Sequence, residues 1–259
     1  MMQRIDSANE RRHFDRVWAA YNAAILVEDK LDVPTIGNLE GKRILICSCG
    51  SGVDPVRAAN AGAEVYAVDI SEVAVENARK TARFNNVTVN CDVQDLHDLK
   101  FGDRFFDLVY GTAVLHHLDV DRASREFCRV LRPGGLAVFE SEPTFMNPLL
   151  KHTYEFAFGK GRVGRRRKFL FLRRTGTECE KPLDAEEFDI LRHYFSECKI
   201  VPRDFMFFEK LSHVAGGRAS KFTRRVDSML LKTFPGIRKW SYECNLVLRA
   251  PQTGYVSQR

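Results

Sequence analysis

Arg43-Ile-Leu-Ile-Cys-Ser-Cys-Gly-Ser-Gly-Val-Asp54 decides the fold. Its first half is apolar on both sides of the pleat, as a central parallel strand covered by helices on both faces must be. Its second half is a glycine turn. Outward from it, short apolar runs alternate with helical periodicity: strands at 43–47, 64–68, 87–91, 106–110 and 136–140, helices at 53–61, 73–84 and 122–131. Right-handed crossovers between them predict an α/β fold with an open, doubly wound, mostly parallel seven-stranded sheet.

Upstream, Phe14, Val17, Trp18, Tyr21, Ile25 and Leu26 recur at helical spacing, so a helix over 7–27 is expected to cap the core. Beyond Pro143 the rhythm changes. Helices are expected at 147–158, at 184–194 with Asp184 as N-cap, and at 219–234. Strands are expected at 200–208 and 241–250, paired antiparallel to close the sheet. Three regions follow: a cap over 1–40, a ligand-binding core over 41–143, and an insertion for the substrate plus the closing strands over 144–259.

The chain of 259 residues is 44% hydrophobic, enough for one sizeable core. No window approaches a membrane span and no apolar leader follows the first residues, which predicts a cytoplasmic protein without a transmembrane segment. Seven cysteines scattered through apolar runs read as reduced thiols. Cys47 and Cys49 are the one close pair, with no second pair or histidine pattern beside them, so no metal is expected. Residues 1–150 hold 17 basic and 22 acidic side chains, residues 151–259 hold 23 and 12. The basic part suits an anionic neighbour: a phosphorylated or carboxylated substrate, an acidic membrane surface or RNA.

What the glycine turn holds follows by elimination. After Gly50-Ser-Gly52 a dinucleotide fingerprint needs a third glycine where Pro55 stands, and a phosphate loop needs a Gly-Lys-Ser/Thr closure that is missing. A nucleoside without phosphates remains. Asp69, at the end of Glu64-Val-Tyr-Ala-Val-Asp69, can accept from both ribose hydroxyls, and Asp92, after Val87-Thr-Val-Asn-Cys91, from an adenine amine.

Across about residues 40–143 the sequence resembles the class I S-adenosylmethionine-dependent methyltransferases, in their small-molecule branch. The resemblance rests on Ile44-Leu-Ile-Cys-Ser-Cys-Gly-Ser-Gly52, Val68-Asp-Ile-Ser71, Cys91-Asp92, the run Phe106-Asp-Leu-Val-Tyr-Gly-Thr-Ala-Val-Leu-His-His-Leu118, and Arg129-Val-Leu-Arg-Pro-Gly-Gly-Leu136. It implies the Rossmann-like methyltransferase fold and S-adenosyl-L-methionine as cofactor. It places Ser48, Cys49, Gly50 and Gly52 against the methionine part, Asp69 with Ile70 at the ribose, Asp92 with Val93 at the adenine, and Gly111 and Thr112 on the floor near the sulfonium. Two departures stand out: Ile46 replaces an acid and Ser48 replaces a glycine, with Asp54 a candidate to compensate for the lost charge.

Methyl transfer needs in-line positioning and, for a hydroxyl or amine, a base. His116 and His117 follow the strand that faces the sulfonium and are candidates, against the alternative that one binds backbone and the other faces outward. Glu180 is the third candidate, in Thr177-Glu-Cys-Glu-Lys-Pro-Leu183, which is similar to a Thr-x-x-Glu-His-Pro-Leu segment of some bacterial members, with Lys181 in place of the histidine. Residues 160–174 carry eight basic side chains and no acid around Phe169-Leu-Phe-Leu172. They read as a lid first, a lid against an anionic membrane second and an RNA contact third. Asp204-Phe-Met-Phe-Phe-Glu209 reads as an aromatic strand walling an apolar pocket.

The expectation is a methyltransferase acting on a small molecule, with anionic and lipid-linked acceptors among the candidates, at oxygen first, with nitrogen or carbon as alternatives. A non-catalytic S-adenosylmethionine-fold binding protein and an RNA methyltransferase are the competing readings.

Overall fold

The computed structural model describes residues 7–158, 180–214 and 221–251, together with the two-residue strands Lys168–Phe169 and Leu172–Arg173. One sheet organises it. Strands β1 (Arg43–Cys47), β2 (Glu64–Asp69), β3 (Asn90–Val93), β4 (Phe106–Thr112) and β5 (Leu131–Pro143) run parallel, and β6 (Glu197–Pro202) and β7 (Glu243–Arg249) complete the edge. The spatial order is β3-β2-β1-β4-β5-β7-β6, with β7 antiparallel to both β5 and β6. The expected seven-stranded sheet is therefore present, reversing order beside β1, where an open α/β sheet places its ligands.

The decisive strand shows why the fold forms. Ile44 and Ile46 join the apolar layer that includes Val75 and Ala78 of α3 (Glu72–Phe84), while Leu45 and Cys47 join the opposite layer with Phe127 of α4 (Val120–Val130) and Leu191 of α6 (Ala185–Tyr194). Period-two alternation has thus put two cores on two faces. The acid that Ile46 replaces would lie within the first of those cores, where Ile46 is 1% exposed. Local signals start the helices: Ser71 accepts from Ala74 N at 3.1 Å to cap α3, Asp119 accepts from Arg122 N at 3.2 Å to cap α4, and Asp184 with Glu187 forms a capping box on α6. A further helix, α2 (Val53–Asn60), follows the glycine turn.

Four elements differ from the sequence reading. The N-terminal helix α1 (Ser7–Ala19) ends eight residues before Val27. Side chains hold the rest extended: Asn85 accepts from Val27 N at 2.8 Å and donates to Ile25 O at 2.7 Å, and Asn60 donates to Val27 O at 3.0 Å. Strand β3 begins at Asn90 and β5 reaches back to Leu131. The aromatic strand expected at 204–209 is absent: β6 stops at Pro202, and helix α7 (Phe207–Val214) begins there. Asp227 of α8 (Lys221–Thr233) starts α7 by accepting from Phe208 N at 3.0 Å and Glu209 N at 3.1 Å, a cap supplied from a distant segment. Helix α5 (Pro148–Phe158) and α6 lie as expected. Segment 160–174 falls outside the described residues apart from the backbone of its two short paired strands.

Candidate active site

Every sequence-predicted site residue that is described lies at the carboxyl end of β1–β5. At the turn after β1, Ser48 takes the left-handed φ of 61° that a glycine adopts freely, which costs a serine about 1 kcal/mol. Its hydroxyl donates to Asp69. Asp69 is 4% exposed and also accepts from Gly50 N at 3.1 Å and Ser71 N at 2.9 Å. Burial pushes its carboxyl up to about 6, against these donors and Ile70 N, which favour the ionised form. Cys49 turns into the core, where burial pushes its thiol well up, so its contribution to the turn is backbone. Gly52 is required by packing: its φ is 90°, and a Cβ there would meet Ala78 Cα at 2.7 Å.

Helix α1 covers this turn. A Cβ on Gly50 would meet the Trp18 ring at 2.7 Å, so the indole lies directly on the turn. Ser71 donates to Asp15 at 2.6 Å, Asn77 donates to Trp18 O at 3.0 Å, and Ser7 donates to Asp95 at 2.6 Å. Between helix and sheet lies a cavity of about 50 Å³, lined by Glu10 and Phe14 of the helix and by Ser48, Asp69, Ile70 and Gln94 of the sheet's end. The sequence reading missed Gln94, Asp95 and His97 on its wall; the alternation of acids and amides after β3 was the available signal. Asp92 is exposed and accepts from Val93 N and Gln94 Nε2, both at 2.9 Å. Asp95 accepts from His97 Nδ1 at 2.6 Å; burial raises its carboxyl, but His97 and Ser7 outweigh this and hold it well below the usual range.

The floor is built from β4. Gly111 is buried where a Cβ would meet Val114 Cγ1 at 2.7 Å. Thr112 donates to Asp54 at 2.9 Å, and Asp54 also accepts from Arg57 at 3.3 Å. Asp54 therefore brings a carboxylate to the floor that Ile46 does not supply.

The two histidines take different places. His117 lines the cavity, its ring 5.1 Å edge-on from Phe14 and its Nδ1 3.8 Å from Glu10. His116 is buried beneath it and donates from Nδ1 to Glu142 at 3.0 Å. Glu142, fully buried at the end of β5, also accepts from Val114 N at 2.8 Å, Leu115 N at 2.9 Å and His116 N at 3.3 Å. His116 Nε2 is left facing Glu180 at 4.0 Å. The predicted His116 and Glu180 are thus brought together, and Glu142, which the sequence reading did not single out, holds the His116 ring. Lys181 is turned away into Asp184 at 3.0 Å and Glu187 at 3.2 Å. Residues 177–179 of its segment lie outside the described residues.

Known proteins resemble part of this chain. Residues 45–139 match the family model described as a methyltransferase domain. Over these residues the chain is similar to methyltransferase domains. The domain is 35% identical over 98 residues to a ubiquinone biosynthesis O-methyltransferase of Mesorhizobium japonicum, covering 38% of this chain and 39% of that protein. It is 37% identical over 99 residues to the 27-O-demethylrifamycin SV methyltransferase of Amycolatopsis mediterranei, covering 37% and 36%. The matches thus span about two fifths of each relative. The fold extends further: the crystal structure of the cyclase SpnF superposes with a TM-score of 0.56 at 17% identity, covering 95% of this chain and 96% of that one. The buried Asp69 carboxylate at this turn would repel a phosphate placed beside it. Among the described residues no group of side chains is arranged to hold a metal ion.

Proposed function

We propose that this chain transfers a methyl group from S-adenosyl-L-methionine to a hydroxyl of a small molecule, with His116 as the base. The observation that carries this reading is the buried Glu142–His116 pair opening on Glu180. A carboxylate on Nδ1 fixes that proton and leaves Nε2 as the acceptor, the arrangement a general base needs. Glu180 stands where it can hold the acceptor's hydroxyl or a neighbouring polar group toward Nε2. Burial pushes the Tyr242 hydroxyl up, with Glu180, Tyr154 and Glu243 adding to the effect, so Tyr242 stays protonated and able to donate.

On the cofactor side, Asp69 would hold the ribose, the Ser48–Gly52 backbone the methionine part, Asp92 to Gln94 the adenine, and Gly111 with Thr112 the reacting end. When bound, the cofactor supplies an electrophilic methyl on its sulfonium. The chain's own work is to close α1 over the nucleoside, exclude water and remove one proton from the acceptor. His117, in the cavity under Glu10, serves binding in this reading. The relatives named as O-methyltransferases favour oxygen over nitrogen or carbon.

The test is release of S-adenosylhomocysteine with a panel of phenols, catechols and aliphatic alcohols, on wild type, His116→Gln and His117→Gln. Turnover with a hydroxyl acceptor that His116→Gln abolishes while nucleoside affinity stays intact supports the proposal. Nucleoside binding with no product from any acceptor favours the non-catalytic binding protein.

A further inference from the structure

We propose that α8 and the turn after it form a docking surface for an anionic lipid bilayer. Helix α8 turns Asp227 inward to cap α7, and its outer face carries what is left. Phe222, Arg225, Met229 and Lys232 fall on one stripe at helical spacing, with Phe222 73% and Met229 59% exposed. Beyond it, Phe234, just before the short 3-10 helix Pro235–Trp240, is 58% exposed, and Trp240 at that helix's end is 41% exposed. Exposed apolar side chains gathered on one face mark a contact surface.

Charge says which partner. Arg225 and Lys232 share the stripe with Phe222 and Met229, Lys221, Arg238 and Lys239 add cations at its ends, Arg224 is paired with Glu209 at 3.2 Å, and Asp227, the one acid of 221–240, is 6% exposed and occupied. An apolar stripe flanked by long basic side chains suits the headgroup boundary of an anionic bilayer, with Phe, Met and Trp in the interface and the cations on phosphates. A single-stranded nucleic acid would match the charge, but Phe222 and Met229 share one helical stripe instead of forming aromatic platforms spaced along a groove.

Position gives the surface a consequence. Trp240 lies two residues before Tyr242, which neighbours Glu180. The intervening backbone is stitched to the carboxyl end of β5, with Thr144 N donating to Tyr242 O at 2.6 Å and Thr144 Oγ1 to Ser241 O at 3.1 Å. Docking through this face holds the catalytic end of the sheet near the bilayer, where an acceptor with a long apolar part would reside. The docking itself is independent of the methyl-transfer reading.

The experiment is co-sedimentation of the full chain with vesicles of phosphatidylcholine alone and with phosphatidylglycerol at about one part in three. Two double variants are compared, Phe222→Ser with Met229→Ser and Arg225→Glu with Lys232→Glu; all four positions are exposed, so folding should persist, checked by circular dichroism and S-adenosylhomocysteine binding. Wild type should bind the anionic vesicles, lose binding as salt rises, and weaken about tenfold or more in each double variant. In a Trp18→Phe background the emission of Trp240 should shift to the blue on vesicle addition. Binding that both double variants retain, equal binding to the two vesicle types, a Trp240 spectrum unmoved by saturating lipid, or tighter binding to RNA at equal phosphate would each overturn the proposal.

Discussion

Nucleoside affinity should depend on pH through Asp69. Burial raises its carboxyl from 3.8 to about 6, so the folded chain holds that proton more tightly than the unfolded chain does. Its contribution to stability is therefore complete below about pH 3.8 and is lost as the pH rises through about 6. At neutral pH the carboxylate is ionised and poorly solvated, at a cost on the order of 3 kcal/mol for a shift of about two units. A ribose diol offers that carboxylate two donors and relieves part of the cost, so the ligand prefers the ionised form. With a free-chain value of about 6, S-adenosylhomocysteine should bind about tenfold more weakly at pH 5 than at pH 7. Asp69→Asn keeps the shape but loses the charge and two charge-assisted hydrogen bonds, so affinity should fall about a hundredfold at pH 7 and become flat with pH. Calorimetric titration at pH 5, 6 and 7 measures both. A flat profile in wild type, or an Asn variant that keeps wild-type affinity, would refute the placing of the ribose on Asp69.

Other outcomes follow from the same geometry. His116→Gln should lower turnover by about a hundredfold to ten-thousandfold with nucleoside affinity unchanged, read by single-turnover kinetics and calorimetry on one preparation. Glu142→Gln should move the pH profile of turnover more than it moves the KM for the acceptor, because the buried carboxylate fixes the proton on His116 Nδ1; an unchanged profile would reduce Glu142 to a backbone cap. Gly52→Ala must force a Cβ against Ala78 Cα at a left-handed φ, costing about 3 kcal/mol and lowering Tm by about 6–12 °C in a thermal melt. Trp18 fluorescence should change on nucleoside binding and Trp18→Ala should weaken that binding, since the indole lies on the Gly50 turn.

The centre of the sheet was readable because burial on two faces leaves its mark on β1 and β4: Ile44 to Cys47 are apolar throughout, and Phe106 to Tyr110 carry one charge, Asp107. Asp69 could be singled out from its place at the end of a buried strand, and the structure finds it tying down the turn through Gly50 N and Ser71 N. The run Phe205-Met-Phe-Phe208 was misread because four apolar residues fit either period, and the group that decides for helix, Asp227, lies nineteen positions beyond Phe208. The N-terminal helix was drawn too long because Ile25 and Leu26 keep its spacing, whereas Asn60 and Asn85, far away in sequence, bind the backbone there. Glu142 was missed for the same reason. Its partners are the amides after β4 and one histidine ring, and only the pairing of β4 with β5 brings them to it.

The most direct test of the central claim is the crystal structure of the chain with S-adenosylhomocysteine. The account predicts both ribose hydroxyls on Asp69, the adenine beside Asp92, Val93 and Gln94, Trp18 against the ligand's amino-acid end, and the sulfur facing the side of the site where His116 and Glu180 meet. A nucleoside bound elsewhere, or one whose sulfur is walled off from His116, would contradict it.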